Sequence, residues 1–377
     1  MNLLWSKVGL IGGGLLALAL ALAPIVARAQ TGSVEGHVFC SDGNVPARGA
    51  DVHLIPLESL LKQSGERKKT PLPALDSSTD FGGNYVFPSV PAGVYVVYAA
   101  KNGYSSDFPL VRKVLDRFTR DDQKKLLAEF PQVTVGGGLA REDVVIHRGA
   151  AVMGRVSVDT GGIPEPTSVT ATLVSSDLLG DVESVPGQKP IEFAVSGQID
   201  DRGAYRIAGL PAGTYRLQVR LSESYYRVFL NDNKIAVKAM RVGTGNVTVF
   251  APDALTERDA KLVRVGDGDE LSGADISIPM SRLHSIGGIV TQGGEPLAGA
   301  VLDIWSQGHK VMDSEATTMS DGGYRYDMLP AGTYTIVVGR MGKAASPAHA
   351  EGQITVQVGD TDVPDANIDV PVEGSSK

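Results

Sequence analysis

The residues that could carry out chemistry are few in this chain, and they are scattered. The 377 residues include six histidines and a single cysteine, Cys40. None of the histidines has a glutamate three residues further on, and their spacing matches no other metal-ligand motif. Neither a Gly-x-Ser-x-Gly elbow nor a phosphate-binding loop occurs. The histidines are His37, His53, His147, His284, His309 and His349. We therefore expect no catalytic residues, no metal and no cofactor.

One acidic segment could still bind an ion. Residues 266–270 read Gly-Asp-Gly-Asp-Glu and precede a predicted strand. Carboxylate oxygens are the ligands that calcium prefers, but the spacing of Asp267, Asp269 and Glu270 matches no calcium-binding loop. A solvated turn is the alternative, and it is the interpretation that we favour.

Trp305 is the aromatic residue that its predicted strand places best for a ligand. In the strand that begins at Ala300, Leu302 and Ile304 form the inward set, so Asp303 and Trp305 point outward. An outward tryptophan on a sheet is a platform for a sugar ring, because the C–H faces of sugars pack well on aromatic faces. The alternative, which we favour, is that a loop or a neighbouring part of the chain covers the ring.

A second aromatic cluster lies earlier in the chain. Tyr225, Tyr226 and Phe229 follow a predicted hairpin within a few residues of each other. We take Tyr225 and Tyr226 as the further candidates for ligand-binding residues. Local packing of the three rings is the alternative, and we favour it over a binding groove.

The elements that carry these side chains are repeated three times. Each copy holds two tyrosines ten residues apart, with Pro-Ala-Gly between them. The pairs are Tyr85 and Tyr95, Tyr205 and Tyr215, and Tyr324 and Tyr334. A spacing of 120 and then 119 residues between copies is that of a small domain rather than of a solenoid repeat. Each copy predicts a β-hairpin, because proline sets φ for the turn and glycine can leave it with positive φ.

The composition predicts an all-β fold for these repeats. Forty-five glycines and 21 prolines separate short alternating apolar runs, which is the pattern of a β-sandwich. We predict three tandem Greek-key sandwiches. Their expected boundaries are 30–148, 149–282 and 283–377. Residues 109–130 lack glycine and have helical apolar periodicity, so we expect a short helical insertion there, in the first sandwich.

Residues 1–29 have the pattern of a secretory signal peptide. Lys7 precedes an apolar run, and the run closes with small residues at Ala27 and Ala29. The alternative is an uncleaved anchor over 8–27, which is nearly long enough to span a bilayer. No later stretch is apolar enough to span. We therefore expect an exported protein, located in the periplasm, at the cell surface or outside the cell.

The repeated motifs resemble a known family. Each repeat opens with Gly-x-Val, and Gly-x-Tyr and Leu-Pro-Ala-Gly-Thr-Tyr or a close variant follow. Together these motifs resemble the carboxypeptidase regulatory-like domain. That family has a transthyretin-like (prealbumin-like) β-sandwich and is similar to the collagen-adhesin B-type repeats. The resemblance implies non-catalytic modules, of the kind attached to peptidases, outer-membrane receptors and surface proteins.

The adhesin relatives suggest one further chemistry, a covalent bond between the first and last strands. Some of these relatives join a first-strand lysine to a last-strand asparagine. Asn367 stands in the last strand of the third repeat, but residues 285–291 hold no lysine, and the other repeats have Asp143 and Asp275 instead. We therefore expect no intramolecular isopeptide bond.

These observations favour an exported, non-catalytic binding or structural protein of the cell envelope or the extracellular space. Its β-sandwich surfaces would meet a surface protein or a polysaccharide. The alternative is a carbohydrate-binding protein that uses outward aromatics such as Trp305. A formal net charge of −8 argues against nucleic acid as a partner. We also expect no integral membrane segment after cleavage of the signal peptide.

Overall fold

The computed structural model of the chain describes residues 31–61, 73–162, 166–181, 192–230, 236–312, 315–339 and 346–372. For 181, 225–230 and 236–242 it describes the backbone alone. The predicted signal peptide lies outside the described residues. Strands dominate the rest, so the all-β prediction is confirmed. Within the described ranges, no helix has both the length and the apolar character needed to cross a membrane.

The first sandwich places two sheets face to face. Its strands are β1 (Thr31–Cys40), β2 (Val45–Pro46), β3 (Asp51–Pro56), β4 (Leu75–Ser78), β5 (Asn84–Pro91), β6 (Gly93–Ala100), β7 (Tyr104–Ser105), β8 (Gln132–Val135), β9 (Leu139–Arg141) and β10 (Val144–Arg148). One sheet is built around β1, which pairs with β2, β5, β9 and β10, while β7 pairs with β10. The other sheet has the order β4-β3-β6-β8. Alternate residues of β1, including Val34 and Val38, are buried between the sheets because strand side chains alternate between faces.

The first sandwich contains a helical insertion, as the sequence predicts, and this insertion covers the outer face of the β3–β6 sheet. It consists of α2 (Phe108–Val114), a 3₁₀ turn (Leu115–Arg117) and α3 (Arg120–Leu127), and a one-turn helix α1 (Leu57–Leu60) lies beside it. The Thr119 hydroxyl caps α3 by accepting the Asp122 N–H. Phe108 and Leu127 pack with Ile55 of β3 and so bury that face of the sheet.

The second sandwich contains the two longest strands. Its strands are β11 (Ala150–Val158), β12 (Ser168–Ser176), β13 (Gly180–Asp181), β14 (Ala194–Gln198), β15 (Ala204–Leu210), β16 (Gly213–Leu230), β17 (Ala236–Phe250), β18 (Leu262–Val265), β19 (Glu270–Leu271) and β20 (Ile276–Ile278), with 3₁₀ turns at Glu257–Asp259 and Met280–Arg282. In one sheet β11 pairs with β15, β19 and β20. In the other, β12 and β16 pair with β13, β14, β17 and β18. The β16–β17 hairpin extends beyond β12 as an arm.

The third sandwich repeats the plan with nine strands. They are β21 (His284–Gln292), β22 (Glu295–Pro296), β23 (Val301–Ser306), β24 (His309–Lys310), β25 (Ala316–Thr317), β26 (Gly323–Leu329), β27 (Gly332–Gly339), β28 (Gly352–Val358) and β29 (Ile368–Val370), with a 3₁₀ turn at Pro347–His349. One sheet joins β21 to β22, β26 and β29, and the other has the order β24-β23-β27-β28 with β25 on β23.

The second sandwich is joined to both neighbours. Leu110 and Val114 of α2 are buried in its hydrophobic core, and so is Met328 of β26. On the other side, β17 pairs in parallel with β26 from Gly243 to Gly245, so that one sheet continues from the second sandwich into the third. The second core thus includes residues from both neighbouring sandwiches. The domain boundaries expected at 148/149 and 282/283 stay predictions.

Candidate binding surfaces and the tyrosine clamp

Trp305 lies on the outer face of the third sandwich. Strand β23 pairs with β27 at Trp305 and Thr335 and with β24 at Trp305 and Lys310. Leu302 and Ile304 belong to the hydrophobic core. The alternation of the strand therefore puts Trp305 on the opposite face, as the sequence predicts. The side chain is half-buried rather than open, and its indole N–H is buried without a hydrogen-bond acceptor among the described residues.

Asp303 shares this face but does not reach solvent. It is only 1% exposed, and the Lys310 ammonium lies 2.6 Å from its carboxylate. A carboxylate so deeply buried needs a close cation, because desolvation strongly disfavours its charged form. The expectation that Asp303 points outward is thus right about the face and wrong about exposure. Trp305 and Asp303 form a partly covered patch rather than a flat open platform.

The second predicted aromatic cluster falls on the β16–β17 arm. The backbone of Tyr225 pairs with Gly243, and that of Tyr226 pairs with Arg241. The side chains of Tyr225, Tyr226 and Phe229 lie outside the described residues, so their role in binding stays a prediction. The arm starts in the second sandwich, whereas Trp305 belongs to β23 in the third.

An open groove of about 670 Å³ lies on the first sandwich, and the sequence did not predict it. It is lined by residues of β1, β5 and β9 and by the turns beside them. Two contacts between titratable groups lie within the groove: Arg141 lies 2.7 Å from Glu35, and the His37 ring lies 3.5 Å from Asp143. Hydrogen bonds from Asn84 hold the pKa of Asp80 below its usual value. Charged and polar side chains therefore dominate the lining of this groove.

The acidic segment at 266–270 closes on itself as a turn. The Gly266 N–H donates to the Asp269 carboxylate at 2.7 Å, and the Asp269 N–H donates back to the Gly266 carbonyl. Gly268 adopts a φ of +73°, a conformation that favours glycine. Among the described residues, no group of three or more histidine, cysteine or acidic side chains could hold a metal ion.

The repeated tyrosines form a structural clamp in each sandwich, which we call the tyrosine clamp. The first tyrosine of each pair donates its hydroxyl to a backbone carbonyl just before the last strand. The three donor–acceptor pairs are Tyr85 to Glu142, Tyr205 to Ala274 and Tyr324 to Ala366. The second tyrosine donates to the proline carbonyl four residues earlier, at 2.8, 2.8 and 2.9 Å for Tyr95, Tyr215 and Tyr334. The motif found in the sequence is thus a set of side-chain-to-backbone bonds.

The glycine of Gly-x-Val completes the clamp. A Cβ built on Gly36, Gly154 or Gly288 would overlap the same carbonyl oxygen that accepts the tyrosine hydroxyl. Only glycine therefore lets the first strand approach the segment that precedes the last one. The same geometry occurs in all three sandwiches, which accounts for the threefold recurrence of both motifs.

Burial in the clamp changes the acidity of the tyrosines. It raises the pKa of Tyr334 to about 12, and it raises the pKa of the other five clamp tyrosines as well. These hydroxyls stay protonated at neutral pH, as donors to a carbonyl must. They are not poised as nucleophiles or bases.

The side chain just before the last strand, where an isopeptide bond would have formed, has a different partner here. Asn367 accepts the backbone N–H of Ile289 at 2.9 Å. Asp143 and Asp275 accept the N–H of His37 and Arg155 in the same way, each at 2.8 Å. In all three sandwiches this side chain therefore ties the last strand to the backbone of the first strand.

Comparisons with known proteins give weak likenesses. No family model matches the chain. Colossin-A of Dictyostelium discoideum is 25% identical over 269 residues, which are 69% of this chain and 2% of that protein. The chain thus spans a very small part of that relative's length. The resemblance to the carboxypeptidase regulatory-like domain stays a prediction.

Among solved structures, the chain is similar to a streptococcal ancillary pilin at 11% identity and a TM-score of 0.31, over 90% of this chain and 99% of that one. It is similar to the minor pilin GBS52 of Streptococcus agalactiae at 12% identity and a TM-score of 0.30, over 60% and 98%. The TIE protein of Bacillus anthracis gives 13% identity and a TM-score of 0.22, over 91% and 50%. Likenesses at this level carry no inference about function.

Proposed function

We propose that this chain is an exported, non-catalytic structural or adhesive protein of the cell envelope or the extracellular space. In this proposal three carboxypeptidase regulatory-like sandwiches form a scaffold that presents its surfaces to other proteins or polymers. The observation that carries the proposal is the joining of the second sandwich to both neighbours. A helix of the first sandwich enters its core, and its sheet continues into the third.

The clamp supports a structural role. Its tyrosines and glycines are the most strongly patterned residues of the sequence, and each of the six hydroxyls bonds to a backbone carbonyl inside its own sandwich. In the groove of the first sandwich, Arg141 pairs with Glu35, and the His37 ring lies beside Asp143. The patterned polar groups therefore serve to hold strands together.

Export is tested by fractionating cells that produce the chain with a C-terminal tag. We expect the tagged protein in the exported or envelope fraction, and we expect mass spectrometry to place its N-terminus near Gln30. A cross-linking pull-down from the same envelope fraction should recover a surface protein or a polysaccharide. An unprocessed chain that remains in the cytoplasm would contradict the proposal.

Carbohydrate binding is the second candidate, and Trp305 is the observation that favours it. Its ring lies on an outer sheet face and is partly exposed, beside the ion pair of the buried Asp303 with Lys310. If the ring stacks on a sugar, Trp305→Ala should abolish binding to one member of a polysaccharide panel. Phe81→Ala is the matched control, because Phe81 is an aromatic residue 86% exposed on the first sandwich. Equal binding by both variants, or none by the wild-type chain, would reject this candidate.

A further inference from the structure

The third sandwich has an outer strand that is paired on one side only. Strand β28 pairs with β27 along its whole length, from Gly352 with Val338 to Val358 with Gly332. No other strand in the described part of the chain pairs with β28. The side of β28 that faces away from β27 therefore presents backbone N–H and C=O groups without a described strand partner.

The corresponding edge is protected in the other two sandwiches. The motif Val-x-Val-Gly, at 133–136, 263–266 and 356–359, identifies β8 and β18 as the counterparts of β28. Each counterpart has four residues, whereas β28 has seven. In the second sandwich, β17 also pairs with the same side of β16 from Gln218 onward. Natural sheets shorten or cover such edges, because an open edge is a template for another strand.

Strand β28 also lacks the residues that usually prevent edge pairing. It reads Gly-Gln-Ile-Thr-Val-Gln-Val and contains neither a charged residue nor a proline. Its apolar residues Ile354 and Val356 are only partly buried against the third core. Val133, which takes the place of Val356 in the first sandwich, is by contrast only 4% exposed. The third core is thus incompletely covered along this edge.

The sequence of β28 is nearly the same in both directions. Residues 353–357 are Gln-Ile-Thr-Val-Gln. Consider two copies that pair antiparallel about a two-fold axis at Thr355. Thr355 then faces its own counterpart, Gln353 faces Gln357, and Ile354 faces Val356. Thr–Thr pairs stabilise antiparallel strands, and β-branched side chains pack well against their cross-strand neighbours.

This register keeps polar and apolar side chains on separate faces. Gln353, Thr355 and Gln357 are exposed and share one face of the strand, whereas Ile354 and Val356 share the face toward the core. Facing residues of two paired strands lie on the same face of the sheet. The second strand therefore extends the polar face and the apolar face at once, and no charge is buried.

The existing hydrogen bonds of these side chains are compatible with the pairing. The Thr355 hydroxyl lies 3.1 Å from that of Thr335, and the Gln357 amide oxygen accepts the Thr333 hydroxyl at 2.6 Å. Both partners belong to β27, on the paired side of β28. A second copy would approach from the opposite side, so neither bond has to break.

The neighbouring symmetric registers lack this match. An axis at Ile354 would place Gly352 opposite Val356, which leaves one side of an apolar pair without a side chain. An axis at Val356 would place Gln353 opposite Gly359, so that the glutamine loses its partner. Only the axis at Thr355 gives every residue from 353 to 357 a partner of its own kind.

We propose that the chain binds a second copy of itself through β28, with the two strands antiparallel and the two-fold axis at Thr355. The contact is isologous and closes as a dimer. The β24-β23-β27-β28 sheet of one copy then continues into the same sheet of the other. This association is a property of the purified chain and requires neither export nor another partner, so its failure would leave the proposed function untouched.

A charge placed on the axis tests the contact. The wild-type chain should sediment as a dimer in analytical ultracentrifugation. Thr355→Lys puts two positive charges opposite each other, and Thr355→Glu puts two negative charges there. Each variant should weaken the dimer roughly tenfold, since like charges directly opposite destabilise paired strands. An equal mixture of the two variants should form a mixed dimer, because the axis then carries one charge of each sign.

Two double variants test the register. Gln353→Lys combined with Gln357→Glu places opposite charges at both facing positions and should keep the dimer. Gln353→Lys combined with Gln357→Lys places like charges there and should weaken the dimer more than either Thr355 variant, since two facing pairs become repulsive. Equal dimerisation by the two double variants would contradict the register.

The matched control is Thr134→Lys. Thr134 is an exposed threonine of β8, the counterpart of β28 in the first sandwich, and its substitution should leave the dimer unchanged. Circular dichroism confirms that each variant keeps its strands. A monomeric wild-type chain, a dimer that neither Thr355 variant weakens, a dimer weakened equally by the control, or Thr355 variants that form no mixed dimer would overturn the proposal.

Discussion

The two junctions between sandwiches are built from different parts of the chain. At the first junction, side chains make the contact: Leu110 and Val114 are buried in the second core, and the Lys113 ammonium donates to the Glu192 carbonyl at 2.9 Å. At the second junction the backbone makes it, through the parallel register of β17 with β26. A side-chain junction depends on the volume of a few buried side chains, whereas a strand junction requires two backbones to approach each other closely. They should therefore fail under different substitutions.

The junctions also have a common feature, an aspartate whose pKa is raised by burial. Burial raises the pKa of Asp107 at the first junction, and the negative charges of Asp267 and Asp177 raise it further. Burial likewise raises the pKa of Asp327 at the second, although Arg325 donates to its carboxylate at 2.7 Å. Both junctions should therefore respond to pH in the same direction.

The largest effect is expected at the side-chain junction. Leu110→Ala removes a fully buried side chain from the second core and should destabilise the second sandwich by about 3 kcal/mol, the transfer and cavity cost of such a truncation. Chemical denaturation monitors the loss. The control Val86→Ala, at a side chain 52% exposed on the first sandwich, should cost less than about 0.5 kcal/mol. Equal losses would show that Leu110 contributes nothing to the junction.

A glycine substitution should break the strand junction. A Cβ on Gly245 would lie 2.8 Å from Met328 Cε and 3.0 Å from the Asp327 carbonyl oxygen. Gly245→Ala should therefore cost about 1–3 kcal/mol through overpacking and should speed amide exchange along β26. Gly136→Ala is the control, because nothing lies within 4 Å of a Cβ there. Unchanged exchange in β26 would contradict the strand junction.

The clamp should respond equally in all three sandwiches, whatever the junction. Tyr205→Phe leaves the Ala274 carbonyl without its donor, and we expect a loss of about 1 kcal/mol. Tyr85→Phe and Tyr324→Phe should give similar losses. Tyr104→Phe should cost less, because that hydroxyl donates to the exposed Asp42 carboxylate. A loss confined to one of the three would show that the clamps are not equivalent.

The smallest effect is the pH dependence of the junction acids. The raised pKa of Asp327 means that the folded chain binds this proton more tightly than the unfolded chain does. Folding stability attributable to Asp327 therefore increases as the pH falls from neutral toward about 4, and it decreases as the pH rises through the raised pKa. Asp327→Asn should remove this slope in thermal melts.

Asp80→Asn is the matched control for the pH experiment. Its carboxylate has a lowered pKa, because Asn84 donates to it. Stability from Asp80 is therefore lost as the pH falls through that lowered pKa, which is the opposite sign. Parallel pH profiles for the two variants would contradict the assignment of the junction acid.

Local patterns predicted the interior of each sandwich well. The tyrosine pairs and Gly-x-Val occupy corresponding places in all three copies, so strand alternation and turn chemistry were enough to recognise the hairpins. The helical insertion was predictable because a stretch without glycine with helical periodicity begins at Pro109, and the observed helices span Phe108 to Leu127. These features depend on neighbours close in the chain.

Features that depend on distant residues were not predictable. The groove of the first sandwich joins Glu35 to Arg141, which are 106 residues apart. The burial of Asp303 depends on Lys310 and on the groups that cover this face of the sheet. Strand alternation predicts which face of the sheet a side chain lies on, but it does not predict whether other groups cover that face. The pairing of β17 with β26 joins strands of two different sandwiches. The alternating pattern indicates that a strand exists, but it does not identify the partner strand.

Calorimetry of the full chain tests the joined scaffold most directly. The shared core and the shared sheet predict that the second sandwich does not unfold alone. Leu110→Ala should therefore shift the unfolding of the first and second sandwiches together. Gly245→Ala should shift the unfolding of the second and third sandwiches together. Three separate transitions, each shifted only by substitutions within its own sandwich, would contradict the account.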